Sequence, residues 1–267
     1  MARSRRAVAS TPGYGRIVAV PLEAGMLWVA GVDGCRGGWV VVLQARATGE
    51  LRARVASGFG AVLAQAEAPV VVGVDMPIGL LPAAAPGGRT CEVLARRLLG
   101  ARSSSIFSAP TRAALEAFRA GGGYRAVSRA NRGASPGPGL SRQTFGLLPK
   151  IDEVDRALPS ARRRVVEVHP ELSFREANEG KVIESRKRTA EGCLERLEVL
   201  ARQGFVAPLA LLARVARRTW PAGAKPDDLL DACIACWTAE RVAAGAAVVL
   251  PEDSPVDARG LRMELWR

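Results

Sequence analysis

Apolar residues along this chain recur at two periods, near 2 and near 3.6, and their order predicts an α/β protein. From about Met26 to Asp33 the run Trp28-Val29-Ala30-Gly31-Val32 is apolar without interruption, as a strand buried on both faces should be. It turns through Gly34-Cys35-Arg36-Gly37-Gly38 into a second apolar strand, Trp39 to Leu43. Leu51 to Val55 alternates Leu, Ala and Val with Arg52 and Arg54, the pattern of an edge strand with one wet face. Phe59, Val62, Leu63 and Ala66 fall at helical spacing, and Val70 to Asp75 follows as another doubly buried strand. A helical crossover brings the next strand in parallel, so the order β-β-β-α-β sets Val70–Asp75 beside the first strand. Arg164 to His169 reads as a fifth strand, with Glu167 and His169 on one face and Pro170 ending it.

The remaining patterns are helical. An insertion at about 80–163 reads as helix over Glu92–Leu99 and Thr111–Phe118, a Gly/Pro-rich loop from Asn131 to Gly139, and a short helix at Lys150–Asp155. Arg186 to Ala201 is amphipathic, with Cys193, Leu197 and Leu200 on one stripe. Pro226 opens a last helix whose Asp228, Asp231, Ala232 and Ala235 share a face. The expected fold is α/β: a mixed five-stranded sheet, three antiparallel strands followed by parallel ones, with helices on both faces and a helical insertion. It forms a single domain over 26–267. Residues 1–25 carry Arg, Pro and Gly without periodicity and read as a disordered arm or an over-extended start.

Composition sharpens this picture. No apolar run approaches the ~20 residues of a membrane span. The five cysteines are scattered and odd in number, which suits a reducing cytoplasm. Cys233-x-x-Cys236 has no partner pair and no nearby His, so these read as packed thiols rather than zinc ligands. The net charge is +12, and residues 89–164, with 15 Lys/Arg against 5 Asp/Glu, contribute +10 of it. Such a basic region suits a polyanionic partner; an Arg-biased genome would produce the same excess.

The candidate chemistry lies in carboxylates that contradict their surroundings. Both doubly buried strands end in a lone acid, Asp33 and Asp75, and a charge at the rim of a core costs several kcal/mol unless paired or bound to metal. Two such acids suggest one cation site. A third group, Asp227-Asp228-x-x-Asp231, opens the last helix; the helix dipole accounts for Asp227 and Asp228 but poorly for Asp231, deeper on the packing face. Strand Asp, strand Asp and helix Asp are the constellation from which the ribonuclease H-like fold builds a two-metal site. Glu167 is a further candidate ligand. His169 sits between Glu167 and Glu171, where it would orient a ligand or shuttle a proton, or else be a buried hydrogen-bonded side chain; Glu171 also suits a helix start. Arg102-Ser103-Ser104-Ser105 reads equally as a phosphate cradle or a capping turn.

Several of these stretches together resemble the DUF429 family, bacterial and archaeal proteins described as predicted nucleases of ribonuclease H-like fold. They are Gly31-Val32-Asp33-Gly34-Cys35-Arg36-Gly37-Gly38-Trp39, Asp75-Met76-Pro77-Ile78-Gly79-Leu80, Arg102-Ser103-Ser104-Ser105-Ile106-Phe107, Glu167-Val168-His169-Pro170-Glu171 and Asp227-Asp228-x-x-Asp231-Ala232. Lys187, Thr189 and Gly192 match the family's Lys-x-Thr-x-x-Gly pattern, and the last helix also resembles the acidic pair of Holliday-junction resolvases of the RuvC type. The resemblance implies a metal-dependent nuclease acting on DNA or RNA. Asp33, Asp75, Asp228 and Asp231 would hold Mg2+ or Mn2+, with Glu167 assisting. Arg36, Arg102, Ser103, Ser104 and Lys187 would contact substrate. The alternatives are a non-catalytic nucleic-acid-binding protein of the same fold, and an actin-like phosphotransferase using the Asp33–Gly38 turn; the latter needs a duplicated domain, and the chain shows no second strand-Asp-Gly hairpin.

Overall fold

A computed structural model describes residues 27–133, 139–161, 164–205 and 223–267. The arm read at 1–25, Met26, and residues 134–138 of the Gly/Pro-rich loop lie outside them. Strands β1 (Trp28–Cys35), β2 (Gly38–Ala45) and β3 (Leu51–Ala56) form an antiparallel meander. After the five-residue helix α1 (Phe59–Leu63), β4 (Val71–Val74) enters parallel to β1 on its open side. The insertion follows: α2 (Thr90–Leu99), α3 (Arg112–Arg119), α4 (Tyr124–Arg132) and α5 (Arg142–Ala157). Strand β5 (Arg164–Glu167) then joins parallel to β4, giving the order β3-β2-β1-β4-β5. Helices α6 (Pro170–Ala177), α7 (Ala190–Arg202) and α8 (Pro226–Ala243) complete the main body. A two-stranded ribbon, β6 (Val249–Leu250) with β7 (Leu265–Trp266), lies beyond them. This is the mixed, ribonuclease H-like sheet that the order of apolar runs predicts.

The strands are apolar on both sides because both sides are covered. Val29, Val40, Val42, Val71 and Val166 pack beneath α6, α7 and α8. Ala30, Val32, Val41, Leu43, Val72 and Val74 pack on the other face against α1, α3, α4 and α5. Among the described residues no helix is long and apolar enough to cross a membrane.

Several boundaries differ from expectation. The β1–β2 hairpin closes through Arg36-Gly37 alone, with Cys35 opposite Gly38, so Asp33 sits inside the ladder opposite Val40 rather than at a strand end. Lys150–Asp155 is the second half of α5, a 16-residue helix capped by Ser141 and running through Pro149, whose missing N–H removes one rung. Asn131 is not loop: it lies in α4, buried, and accepts a hydrogen bond from the Thr111 N–H. The amphipathic run from Arg186 becomes helix only at Ala190, where Thr189 accepts from the Gly192 N–H as N-cap. Lys187 therefore stands on the loop before α7.

Candidate active site

Two paired glycines position the site. Gly31 and Gly73 lie opposite each other in the parallel β1–β4 ladder, on the face covered by α8. A Cβ on Gly31 would lie 2.6 Å from the Cys236 Cα and closer still to the Ala232 carbonyl, and one on Gly73 would lie 2.7 Å from the Ala235 carbonyl. Helix α8 thus rests its backbone on the sheet where side chains are missing, using its own small residues Ala232, Ala235 and Cys236. Two residues beyond each glycine, on the same face, come Asp33 and Asp75. Asp75 follows β4 directly and donates its N–H to the Val32 carbonyl, which holds the two acids on neighbouring strands. Asp231, one residue before Ala232, enters from α8.

The three acids share one electrostatic environment. Asp33 is 8% exposed and Asp231 1%. Burial, with Asp75 and then Asp231 nearby, pushes the Asp33 carboxyl well above its usual range. Burial first, then Asp231, pushes Asp75 up to about 8. Burial also raises Asp231 to about 6, against the opposing pull of Lys187, whose Nζ lies 2.5 Å from Asp231 Oδ2. No described residue hydrogen-bonds the side chains of Asp33 or Asp75. Asp228 is differently engaged: its Oδ2 accepts from the Lys225 N–H at 2.9 Å, capping α8, and it is half-buried.

Glu167 points to the opposite face of the sheet. Its neighbours Val166 and Val168 pack beneath α6–α8, so period two puts Glu167 on the other face of the sheet, although its charge still reaches Asp75 and both border one small cavity. There Arg89, 2% exposed, grips it with both terminal nitrogens at 2.7 and 2.6 Å, and the Ile78 N–H donates to it at 2.6 Å. Arg89 also donates to Glu92 Oε1 at 2.7 Å and to the Ile78 carbonyl at 2.8 Å. The role this geometry supports is a staple on the loop that follows Asp75. Arg89 escaped the sequence reading because nothing local marks an arginine as buried; its i,i+3 spacing to Glu92, just after Gly87-Gly88, is the one legible signal.

The accessory residues fall nearby. Glu171 accepts from Arg196 at 2.7 Å and from Arg102 at 3.3 Å; Arg196, fully buried, also escaped the reading. His169 borders a cavity of about 20 Å³, room for a water, together with Asp75, Arg89 and Glu167. Burial lowers its pKa to about 4, so it is neutral at physiological pH, with Nε2 3.3 Å from the Ser105 carbonyl. Gly100–Ser105 is a 3₁₀ turn; Arg102 within it is committed to Glu171, while Ser103 is half-buried and Ser104 exposed. Arg36 is exposed at the β1–β2 turn.

Part of the basic region is paired with acids, some of them outside it. Arg112 and Arg119 pair with Asp155, Arg156 with Asp152, Lys150 with Glu153, and Arg89 and Arg102 with the acids named above. Arg97, Arg125, Arg129 and Arg132 have no acidic partner among the described residues, and Arg162 and Arg163 lie outside them.

Whether these residues suit a divalent cation turns on chemistry and spacing separately. Among the described residues no three His, Cys, Asp or Glu side chains stand close enough together to hold a metal ion. The donor chemistry does fit: all donors are carboxylate oxygens, which suits Mg2+ or Mn2+. Asp75, pushed up to about 8, keeps its proton at neutral pH and Asp33 is pushed the same way, so only a cation that displaces those protons would meet three carboxylates beside the one Lys187 ammonium.

Fold and site together define an α/β protein with buried aspartates gathered where two parallel strands meet a covering helix. The chain belongs to the family described as "Protein of unknown function (DUF429)", whose sequence model matches residues 31–256. No curated protein and no solved structure matches it.

Proposed function

We propose that the protein is a metal-dependent nuclease hydrolysing phosphodiester bonds of DNA or RNA in the cytoplasm, where its five free thiols would stay reduced. The observation that carries this reading is that Asp33 in β1, Asp75 just after β4 and Asp231 in α8 approach closely enough for charge to add to burial in raising the pKa of Asp33 and Asp75, and that the three form an all-carboxylate donor set of the kind that suits a divalent cation. Those three would hold Mg2+ or Mn2+, with Asp228 at the rim, engaged in capping. When bound, the ions would supply water activation and charge stabilisation at the leaving oxygen. The chain's own part is to fix the acids: Gly31 and Gly73 set the height of α8, and the Arg89–Glu167 pair holds the Asp75 loop. Lys187, in contact with Asp231, and Arg36, exposed at the β1–β2 turn, would supply positive charge for the nucleic acid backbone. No side-chain nucleophile is required.

The test is incubation of the purified protein with labelled single-stranded, duplex, hybrid and junction substrates, in Mn2+ or in EDTA. Cleavage in Mn2+ that vanishes in Asp33→Asn, with substrate binding unchanged or tighter, is the expected result. Cleavage that survives EDTA or Asp33→Asn refutes the reading. Among the described residues no three acids stand close enough to share one ion, which favours one alternative, a nucleic-acid-binding protein of the same fold; binding without cleavage of any substrate would establish it.

A further inference from the structure

The outer surface of α4 carries charge that the fold does not neutralise. Between Glu116 and Asp152 the chain has no acid and six cations, so none of them has an acidic neighbour in sequence within that stretch. Arg119 and Lys150 reach acids on α5. Arg125, Arg129, Arg132 and Arg142 are exposed and have no acidic partner among the described residues.

Their placement makes these four arginines one patch. Arg125, Arg129 and Arg132 stand at i, i+4 and i+7 on α4, opposite its buried Val127, Ser128 and Asn131. The stripe runs about 10 Å along the helix axis, the axial length of about three phosphates of one DNA strand. Arg142, the first residue of α5, lies 3.9 Å over the Tyr124 ring centroid. That ring is fixed: its hydroxyl donates to the Leu140 carbonyl at 2.8 Å, and Phe145 stands at right angles to it with centroids 5.4 Å apart. Tyr124, Arg125 and Arg142 line an open concavity of about 490 Å³. Helix α4 packs through Val127 on the sheet face opposite α8, so the patch and the carboxylate centre share no residue.

We propose that this α4–α5 patch is a docking surface for the phosphodiester backbone of nucleic acid, read without regard to base sequence and separate from the carboxylate centre. Guanidinium groups take phosphate oxygens with two parallel N–H bonds, and the Tyr124 platform holds one of them in place. With Arg142 stacked on it, the ring serves a cation rather than a base. A membrane is disfavoured because the exposed large apolar residues among those described, Leu194, Val248 and Val256, all lie outside α3–α5, leaving the patch nothing to insert into a bilayer. Docking here needs neither metal nor cleavage, so it goes beyond the nuclease reading and stands independently of it.

The test is an arginine footprint of the unaltered protein in EDTA, which requires no variant to fold. Phenylglyoxal modification followed by mass spectrometry should slow several-fold at Arg125, Arg129, Arg132 and Arg142 when a DNA duplex is added, and equally for two duplexes of unrelated sequence. Arg97, exposed on α2 outside the patch, should react as before. Arg142→Ala should flatten the log–log salt dependence of duplex binding by about 0.9 while leaving the melting temperature unchanged. No protection of the four, protection no greater than at Arg97, or protection by one duplex sequence alone would overturn the proposal. Poly-glutamate or phosphatidylserine vesicles protecting the four more strongly than duplex would overturn it too, assigning the surface to an acidic protein or a membrane. None of these outcomes bears on the nuclease reading, whose test is metal-dependent cleavage.

Discussion

Gly31→Ala is the sharpest probe of how the centre is built. The added Cβ would lie 2.6 Å from the Cys236 Cα, while unstrained carbon atoms sit about 3.5 Å or more apart, so helix and strand must separate by roughly 1 Å. The obstructing atoms are backbone, which no rotamer change relieves. Overpacking of this kind typically costs about 1–3 kcal/mol, and a backbone collision belongs at the upper end. At roughly 2–4 °C per kcal/mol for a chain of this size, about 3 kcal/mol lowers the melting temperature by about 6–12 °C. Gly73→Ala, which meets the Ala235 carbonyl at 2.7 Å and the Val168 Cγ2 at 3.1 Å, should cost less. Gly60→Ala, in α1 with nothing within 4 Å, should be neutral or stabilising by up to about 1 kcal/mol. Thermal and denaturant unfolding of the three variants gives the ranking, and Mn2+ calorimetry on the surviving folded Gly31→Ala protein should show binding lost, since α8 carries Asp231. A Gly31→Ala protein as stable as Gly60→Ala would refute the seating of α8 on β1.

Three further outcomes are expected. Without metal, stability should fall between pH 6.5 and 8: the folded protein keeps protons on Asp33 and on Asp75, raised to about 8, that the unfolded chain has already released. The sole histidine, lowered to about 4, pulls the other way only below its unfolded pKa of about 6.5. Asp33→Asn should therefore melt higher than the parent in EDTA at pH 8, and an equal or lower melting point contradicts the crowding of charge. Arg89→Met should cost about 3–5 kcal/mol in urea unfolding, because Glu167 and Glu92 are left buried without it; a loss under 1 kcal/mol would show the staple to be dispensable. Replacing Arg125, Arg129 and Arg132 with Ala should flatten the log–log salt dependence of duplex DNA binding by up to about three units, as each phosphate contact contributes roughly −0.9; an unchanged slope places the DNA elsewhere.

The sequence exposed the parts of this molecule that obey a period. Two doubly apolar runs, each ending in Gly-Val-Asp, identify β1 and β4, and the crossover rule makes them neighbours. Asp231 stood out because the helix dipole does not reach it. Glu167 was harder: alternation fixes which residues of one strand share a face, but not which face of the sheet that is, so its separation from Asp33 and Asp75 depended on the register Val74↔Glu167. Pro149 disguised α5, since proline marks a helix start more often than an interior. Arg89 and Arg196 were invisible because arginine is usually exposed, and their partners Glu167 and Glu171 lie 78 and 25 residues away. The charge of residues 89–164 is legible as a total and not by position, since a count over sequence cannot tell a cation facing solvent, such as Arg125, from one paired within the fold, such as Arg112.

The covering of Gly31 by α8 also sets a clock on synthesis. Asp33 and Asp231 are 198 positions apart (231 − 33), an interval of roughly 10–40 s at ribosomal speeds of about 5–20 residues per second. During that time the nascent chain holds β1, with its two-faced apolar surface and an unshielded glycine groove, but not the helix that seals it. The half-made protein therefore exposes an apolar sheet face that α8 will cover, and whatever the centre binds, it is assembled only after Asp231 has been translated.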